Sequence, residues 1–233
     1  MAQCLFVDRR FAAAYLLLLV GCRSGPEPVV PVDAGPVSAE QVAQWVAGTI
    51  PTDHRLHRFK WLFRDEKSSA GGRGSARIAP PDSLRFDVAG PFGSGAASAA
   101  VVGAEPLWTE PPDAIEKMVP NYPLMWAMFG VARLPENGVA LRGLTTGPTT
   151  AWQYAGPLDT VDYVRTAGQP ARMVTTVRRG GRMVGRAETT LDTAGLPVTA
   201  RLVVPSVPAR LDLTFLSTAP ADFAPDIWVS RKP

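Results

Sequence analysis

Side chains that commonly carry out chemistry are scarce in this chain, which holds two cysteines and two histidines among 233 residues. His54 and His57 lie three positions apart, and on a β-strand this spacing points the two side chains to opposite faces. They therefore do not form a ligand pair for one metal ion. The sequence also contains no H-E-x-x-H, C-x-x-C or G-x-S-x-G motif and no phosphate-binding loop. We predict no catalytic residue, no metal site and no cofactor.

The charged residues leave one alternative open. Carboxylates are dispersed, but a glycosidase-like reaction needs only two of them, so a pair such as Asp82 and Asp162 that met in the fold would make an enzyme. Lysine and arginine together number 24 and aspartate and glutamate 21, with basic residues scattered among acids. A nucleic-acid binder needs a concentrated basic face, so we predict no nucleic-acid partner.

Cys22 is the residue with the clearest chemical expectation. Arg9 and Arg10 precede an apolar run at residues 11–20, and a small residue then leads into the cysteine, which is the order of a secretory signal. The run is about half the ~20 residues that a membrane-spanning helix needs. Residues Leu19–Cys22 resemble the lipobox of bacterial lipoproteins, which implies cleavage before Cys22 and acylation of this cysteine with two or, usually, three chains. Several chains anchor a protein stably where one is marginal. The alternative is an ordinary signal peptide with an incidental cysteine.

The predicted cleavage defines the domain organisation. Removal of residues 1–21 leaves 212 residues, enough for one large β domain, and lowers the formal net charge from +3 to +2. Cys4 leaves with this segment, and acylation of Cys22 leaves no thiol for a disulfide or a metal. Frequent prolines without an apolar period are typical of a semi-extended tether at residues 22–37. Residues 38–233 are predicted to form a single domain.

Hydrophobic periodicity predicts a short first helix followed by strands. Ser38 precedes an amphipathic pattern that ends at Pro51, which is typical of a capped helix. Apolar and polar residues then alternate, as expected for half-buried strands, while the glycine-rich residues 70–74 are predicted to form a turn. Connections of hairpin length favour an antiparallel meander. The strands of this first set are predicted at residues 57–64, 75–79, 83–88, 96–102 and 106–109.

Two helices are predicted to interrupt the meander before strands resume. They lie at residues 111–118 and 120–131, and the second has no polar face, so it must be covered on nearly all sides. Alternation in almost every strand indicates a sheet with one apolar and one solvated face. Later strands are predicted at residues 139–145, 149–155, 160–166, 172–179, 182–191, 197–204 and 209–216, with a further short strand at 223–228. The predicted class is mainly β with a few helices (α+β).

The order of these elements resembles that of a known family. A helix, a strand set containing PPDSLRFDVAGP at residues 80–91, a break with apolar helices and a long second run of strands occur together in residues 38–228. This order resembles the LolA/LolB-like superfamily of periplasmic lipoprotein carriers. The resemblance implies an incomplete antiparallel β-barrel, closed by short helices, with an apolar cavity for acyl chains. With Cys22 lipidated, the chain looks more like LolB, which implies a lipid anchor in the outer membrane and a domain facing the periplasm.

The resemblance also implies binding residues and partners. Phe92 falls in the loop that carries a membrane-contacting apolar residue in LolB. The expected ligand is an acyl chain of a lipoprotein or lipid, or another hydrophobic molecule, and its binding would serve transport or sensing. Two alternatives stay open: the helix fills the barrel as an ordinary core, or the same fold serves as a platform for an envelope protein partner. The predicted pocket residues are Phe59, Trp61, Phe63, Leu84, Phe86, Met125, Trp126, Met128 and Phe129.

Overall fold

A computed structural model describes residues 30, 34–91, 95–103, 105–134 and 139–230. Within these residues the chain forms three α-helices, twelve β-strands and a 3-10 helix near its C-terminus. In chain order they are α1 (Ala39–Ala47), β1 (Arg55–Arg64), β2 (Ser69–Ala79), β3 (Ser83–Ala89), β4 (Ala97–Val102), β5 (Glu105–Glu110), α2 (Pro112–Met118), α3 (Tyr122–Ala127), β6 (Val139–Thr146), β7 (Thr149–Ala155), β8 (Asp159–Thr166), β9 (Ala171–Arg179), β10 (Arg182–Leu191), β11 (Pro197–Val204), β12 (Ala209–Pro220) and the 3-10 helix Pro225–Trp228.

All the described strands belong to one antiparallel sheet built from two meanders. Strands β1 to β5 pair in succession, β6 to β12 pair in succession, and β12 pairs with β1 in the centre. The described parts of the edge strands β5 and β6 are not paired with each other, so the sheet is open. The chain passes from one edge to the other through α2 and α3, and α3 packs on β9 and β10. The predicted α+β class with an incomplete antiparallel barrel is confirmed.

The sheet has an inner face, which α3 covers, and an opposite outer face. Strand β1 illustrates the alternation, because Phe59 and Trp61 are buried on the inner face while Arg58, Lys60 and Arg64 are exposed on the outer face. The period of two seen in the sequence therefore corresponds to the two faces of the sheet.

The turn predicted at residues 70–74 is wrong, because β2 runs through these glycines. Gly74 pairs with Phe59 across the β1–β2 ladder. A Cβ atom on Gly74 would lie 2.4 Å from Cε2 of Phe59, and one on Gly72 would lie 2.0 Å from the carbonyl oxygen of Ala89. The glycines therefore provide space for a large ring and a neighbouring strand, which a search for turn residues misreads.

The two ends of the described chain both lie against the outer face. Val30 and Ala34 are buried against Ala151 of β7 and Val164 of β8. Gly35 then accepts a backbone hydrogen bond of 2.9 Å from Gly143 of the edge strand β6. The chain therefore passes around this edge before it reaches α1.

The C-terminal segment covers the outer face of β3 to β5. Arg85 of β3 donates to the carbonyl of Ile227 at 2.5 Å, and the indole of Trp108 donates to the carbonyl of Trp228 at 2.7 Å. The strand predicted at residues 223–228 is therefore wrong. Pro225 is compatible with the first turn of a helix, and the carbonyls of the 3-10 helix are bound by side chains rather than by a strand.

Helix α1 is capped as the sequence predicts and packs on the inner face. The Ser38 hydroxyl accepts a hydrogen bond of 3.1 Å from the amide of Gln41. Val42 is buried in the main core, and the ring of Trp45 lies 5.8 Å from that of Trp152 in β7. The helix is therefore held against the β6–β7 side of the sheet.

Candidate functional site

The nine predicted pocket residues lie together between the sheet and α3. Eight are buried and Phe63 is half-buried, and all belong to the main core or pack against it. Phe59 and Phe86 stack with ring centroids 5.5 Å apart, and Phe129 contacts both rings at 6.2 and 6.3 Å. These side chains pack against one another on the inner face. Ligand binding among them stays a prediction.

Two residues that we did not assign to the pocket complete this cluster. Phe215 of β12 lies 5.8 Å from the rings of both Phe59 and Phe129. His57 lies 5.5 Å from Phe129 and 5.8 Å from Phe215. Alternation of Leu211, Leu213 and Phe215 was the available signal, but the sequence does not reveal that β12 lies next to β1. We call Phe59, Phe86, Phe129, Phe215 and His57 the aromatic cluster.

His57 is a buried imidazole among aromatic rings. It is 2% exposed, and its Nδ1 lies 2.9 Å from the hydroxyl of Thr218. Burial, followed by the nearby charge of Arg55, lowers the pKa of His57 from 6.5 to about 4. The imidazole is therefore neutral at physiological pH and serves as a packed member of the aromatic cluster.

Hydrogen bonds hold α3 and the residues after it to both halves of the sheet. The indole of Trp126 donates to the carbonyl of Gly103 after β4, and the hydroxyl of Thr189 in β10 donates to the carbonyl of Ala127, both at 2.7 Å. The hydroxyl of Tyr163 in β8 accepts from the amide of Arg133 at 3.0 Å and donates to its carbonyl at 2.7 Å. These bonds fix the covering segment at several points.

An open cavity of about 250 Å³, which we call the end cavity, lies where the loop after α1 meets the aromatic cluster. His57, Phe129 and Leu191 form part of its wall, and Arg55 and Arg165 add positive charge. Arg55 pairs with Asp53 at 2.8 Å. Arg165 donates to the carbonyl of Gly48 at 3.2 Å and makes no ion pair with any described residue. The end cavity therefore joins apolar rings to cationic side chains.

A second cavity of about 260 Å³ runs along α1 and has an almost entirely aliphatic lining. Leu134, which forms part of the wall of this cavity, is 53% exposed. Tyr154 contributes the one side-chain hydroxyl of the lining, and burial raises the pKa of this tyrosine to about 12. Ile50 lines both this cavity and the end cavity, so the two cavities have one residue of their walls in common. We call the second cavity the α1 groove; it is lined by Ala39, Ala43, Val46, Ala47, Ile50, Leu134, Ala140 and Tyr154.

The two acids considered for catalysis lie on different elements, and one of them is already paired with an arginine. Asp82 lies in the β2–β3 turn and Asp162 on β8, with five strands between β2 and β8 in the sheet order. The carboxylate of Asp162 pairs with Arg178 and accepts from Gln153 on the outer face. Among the residues with described positions, no group of three or more histidines, cysteines or carboxylates could hold a metal ion.

Several other predicted features fall beyond the described parts of the chain. Cys22, the signal segment 1–21 and Phe92 lie outside the described residues, as does all of the tether 22–37 except Val30 and residues 34–37. Of the helices in the described ranges, none has the length and apolar character to cross a membrane.

Comparisons with known proteins give matches at the level of structure only. No protein-family model and no curated protein matches the chain. The LolA superfamily protein NE2245 from Nitrosomonas europaea aligns with a TM-score of 0.41 and 7% identity, over 83% of this chain and 98% of that chain. A Vibrio parahaemolyticus domain named for outer membrane lipoprotein sorting aligns with a TM-score of 0.39 and 9% identity, over 81% of this chain and 95% of its own. MucB aligns with a TM-score of 0.37 and 14% identity, over 84% of this chain and 64% of MucB. The open antiparallel sheet with helices over one face, which the LolA/LolB-like resemblance implies, is present in this chain.

Proposed function

We propose that this chain is a lipid-anchored lipoprotein of the bacterial outer membrane that binds an acyl chain of a lipid or lipoprotein in the α1 groove. The observation that carries the proposal is the aliphatic lining of this groove, which opens to solvent beside the half-exposed Leu134. Each methylene that leaves water contributes roughly 0.8 kcal/mol, so such a groove favours an alkyl ligand.

The neighbouring end cavity supplies positive charge for the polar end of the ligand. Pockets for small molecules typically occupy about 300–1,000 Å³, more than either cavity alone. Ile50 lines both cavities, and in the proposed complex a rotation of its side chain joins them. An acyl chain in the α1 groove would then place its carboxylate or ester near Arg55 and Arg165. The aromatic cluster need not open in this arrangement.

The test uses two tryptophan variants on neighbouring exposed positions of α1. Ala43 lines the α1 groove and Gln44 does not. Ala43→Trp fills the groove, and we expect it to weaken binding of radiolabelled palmitate to the full chain roughly tenfold, the equivalent of about two buried methylenes. Gln44→Trp should bind palmitate as the unmodified chain does. Equal binding by both variants would exclude the α1 groove as the acyl site.

The anchor is tested independently of the groove. Cys22→Ser should abolish incorporation of radiolabelled palmitate in growing cells, because the thiol that carries the acyl group is gone. Unchanged incorporation would show that Cys22 is not the attachment site.

The second candidate is a protein-binding platform without a ligand. It is favoured by the packing of the nine predicted pocket residues against one another and by the hydrogen bonds of Trp126 and Ala127. This alternative predicts no lipid in mass spectra of protein purified without detergent. A photoreactive residue at Leu134 would then cross-link to a protein in cells, whereas the acyl-binding proposal expects a cross-linked lipid.

A further inference from the structure

Four cations on the outer face of β1 and β2 have no acidic partner among the described residues. Arg58, Lys60 and Arg64 lie on β1 and Arg73 lies on β2, and all four are exposed. None of them makes an ion pair with a residue in the described ranges. We call these four residues the outer basic patch.

The rest of the sheet makes this arrangement unusual. Most arginines on the other described strands pair with carboxylates, for example Arg77 with Asp87 at 2.7 Å and Arg179 with Asp159 at 2.7 Å. Next to the patch, Asp212 is shared by two arginines, Arg201 and Arg210. Two arginines on one aspartate leave this paired group with an excess positive charge beside the patch.

The patch also places like charges opposite one another across the ladder. Lys60 is the direct partner of Arg73, and Arg64 is the direct partner of Arg210. Like charges at directly opposed positions destabilise a sheet. The arrangement therefore reduces the stability of the free protein, and an anionic surface bound to the outer face would remove this repulsion.

The path of the N-terminal segment indicates which anionic surface lies within reach. Val30 packs on the outer face against Val164 of β8, and β8 is five strand steps from β1, about 24 Å at the usual spacing. Val30 is eight positions after Cys22, and a chain of that length spans at most about 29 Å. With the anchor proposed above, this length lets the lipid attachment reach a membrane that faces the outer basic patch.

We infer that the outer basic patch docks the domain on an anionic phospholipid bilayer. The C-terminal segment and residues Val30 and Ala34 cover the two flanks of the outer face and leave this central region open. Docking would turn the inner-face cavities away from the membrane to which the protein is attached. This inference does not depend on acyl binding in the α1 groove.

The test measures binding of the full chain carrying Cys22→Ser to vesicles of phosphatidylcholine alone and of phosphatidylcholine mixed with phosphatidylglycerol. The difference between the two vesicle types isolates the electrostatic contribution, since residues 1–21 are common to all variants. Removing one charge near an anionic surface should weaken binding roughly fivefold. We expect Lys60→Gln/Arg73→Gln to lose about 25-fold in affinity for the anionic vesicles, and Arg58→Gln/Arg64→Gln to lose a similar factor.

The matched control removes two exposed cations from hairpin ends, with Lys67→Gln/Arg182→Gln. This control should retain the affinity of the unmodified chain. The preference for the anionic vesicles should also disappear at about 1 M salt, where the Debye length falls to about 3 Å. Equal binding to both vesicle types, equal losses in the control, or full binding by both patch variants would each overturn the inference. Because palmitate binding is measured separately, failure here leaves the acyl-binding proposal intact.

Discussion

Strand β1 carries two opposite kinds of surface on one backbone. Its inner face places Phe59 in contact with three other rings of the aromatic cluster, whereas its outer face places Lys60 against Arg73. Burial of apolar area contributes roughly 25 cal/mol per Å², while exposed ion pairs contribute about 0–1 kcal/mol. Stability is therefore concentrated on the inner face. The outer face can vary in charge with little effect on folding, which leaves it available for recognition.

The largest expected effect comes from the inner face. Phe59→Ala should lower the free energy of unfolding by about 3–5 kcal/mol, because it leaves a cavity among three rings. Lys60→Ala, one position along the same strand, should change it by less than about 0.5 kcal/mol. Urea denaturation of both variants measures the difference. Similar costs for the two variants would contradict the contrast between the faces.

A pH-dependent effect on the inner face follows from His57. Burial, followed by the charge of Arg55, lowers its pKa from 6.5 to about 4, so the folded protein binds fewer protons than the unfolded chain between these values. The free energy of unfolding should therefore fall by about 3 kcal/mol as the pH falls from 6.5 to about 4, with no contribution from His57 above that range. His57→Gln should remove this decline, as measured by denaturation at several pH values. His54→Gln is the control and should retain it; an unchanged decline in His57→Gln would assign it to other groups.

The hydrogen bonds of Tyr163 provide a smaller test. Tyr163→Phe keeps the ring that stacks on Trp152 at 5.2 Å but leaves the amide and carbonyl of Arg133 without their partner. We expect a loss of about 1–3 kcal/mol in unfolding free energy. Tyr154→Phe is the matched control, because the Tyr154 hydroxyl bonds to none of the described residues. A loss no larger than in the control would mean that water replaces the hydroxyl.

The smallest effect is expected on the outer face. Arg201→Ala removes one of two arginines that bind Asp212, and the bond of 2.6 Å from Arg210 remains. The side chain of Arg201 is 54% exposed, so its loss should cost less than about 1 kcal/mol and should be screened by salt. Denaturation at low and high salt measures this cost. A loss of unfolding free energy equal to that of Tyr163→Phe would show that ion pairs on the outer face stabilise the fold more than their exposure suggests.

The sequence predicts local alternation well and long-range neighbours poorly. Phe59, Trp61 and Lys60 were assigned to the correct faces because a period of two depends only on adjacent residues. The sequence does not reveal that Gly72 and Gly74 lie within a strand. Glycine is needed at these positions because the ring of Phe59 and the backbone of Ala89 approach closely, and both lie on other strands. The α1 groove was missed for the same reason, since Ala43 and Leu134 come from distant parts of the chain.

The outer basic patch shows the same limit in its electrostatics. Arg58, Lys60 and Arg64 can be recognised in the sequence as the polar side of a strand. Their lack of acidic partners within the described part of the chain becomes visible only when the sheet order places β2 and β12 on the two sides of β1. Overall composition, with 24 basic and 21 acidic residues, conceals this local imbalance.

The seam between β1 and β12 has a consequence for biogenesis. His57 and Thr218, which meet there, are 161 positions apart in the chain. As the chain emerges from the ribosome or a translocation channel, the first meander exposes apolar aromatic rings and the unpaired backbone edge of β1. Both stay exposed until β12, the last strand, has been made. Such long-range closure slows folding and prolongs exposure to aggregation. A nascent form of this protein therefore has particular need of a holding chaperone, and truncation before β12 would leave its first half without a partner.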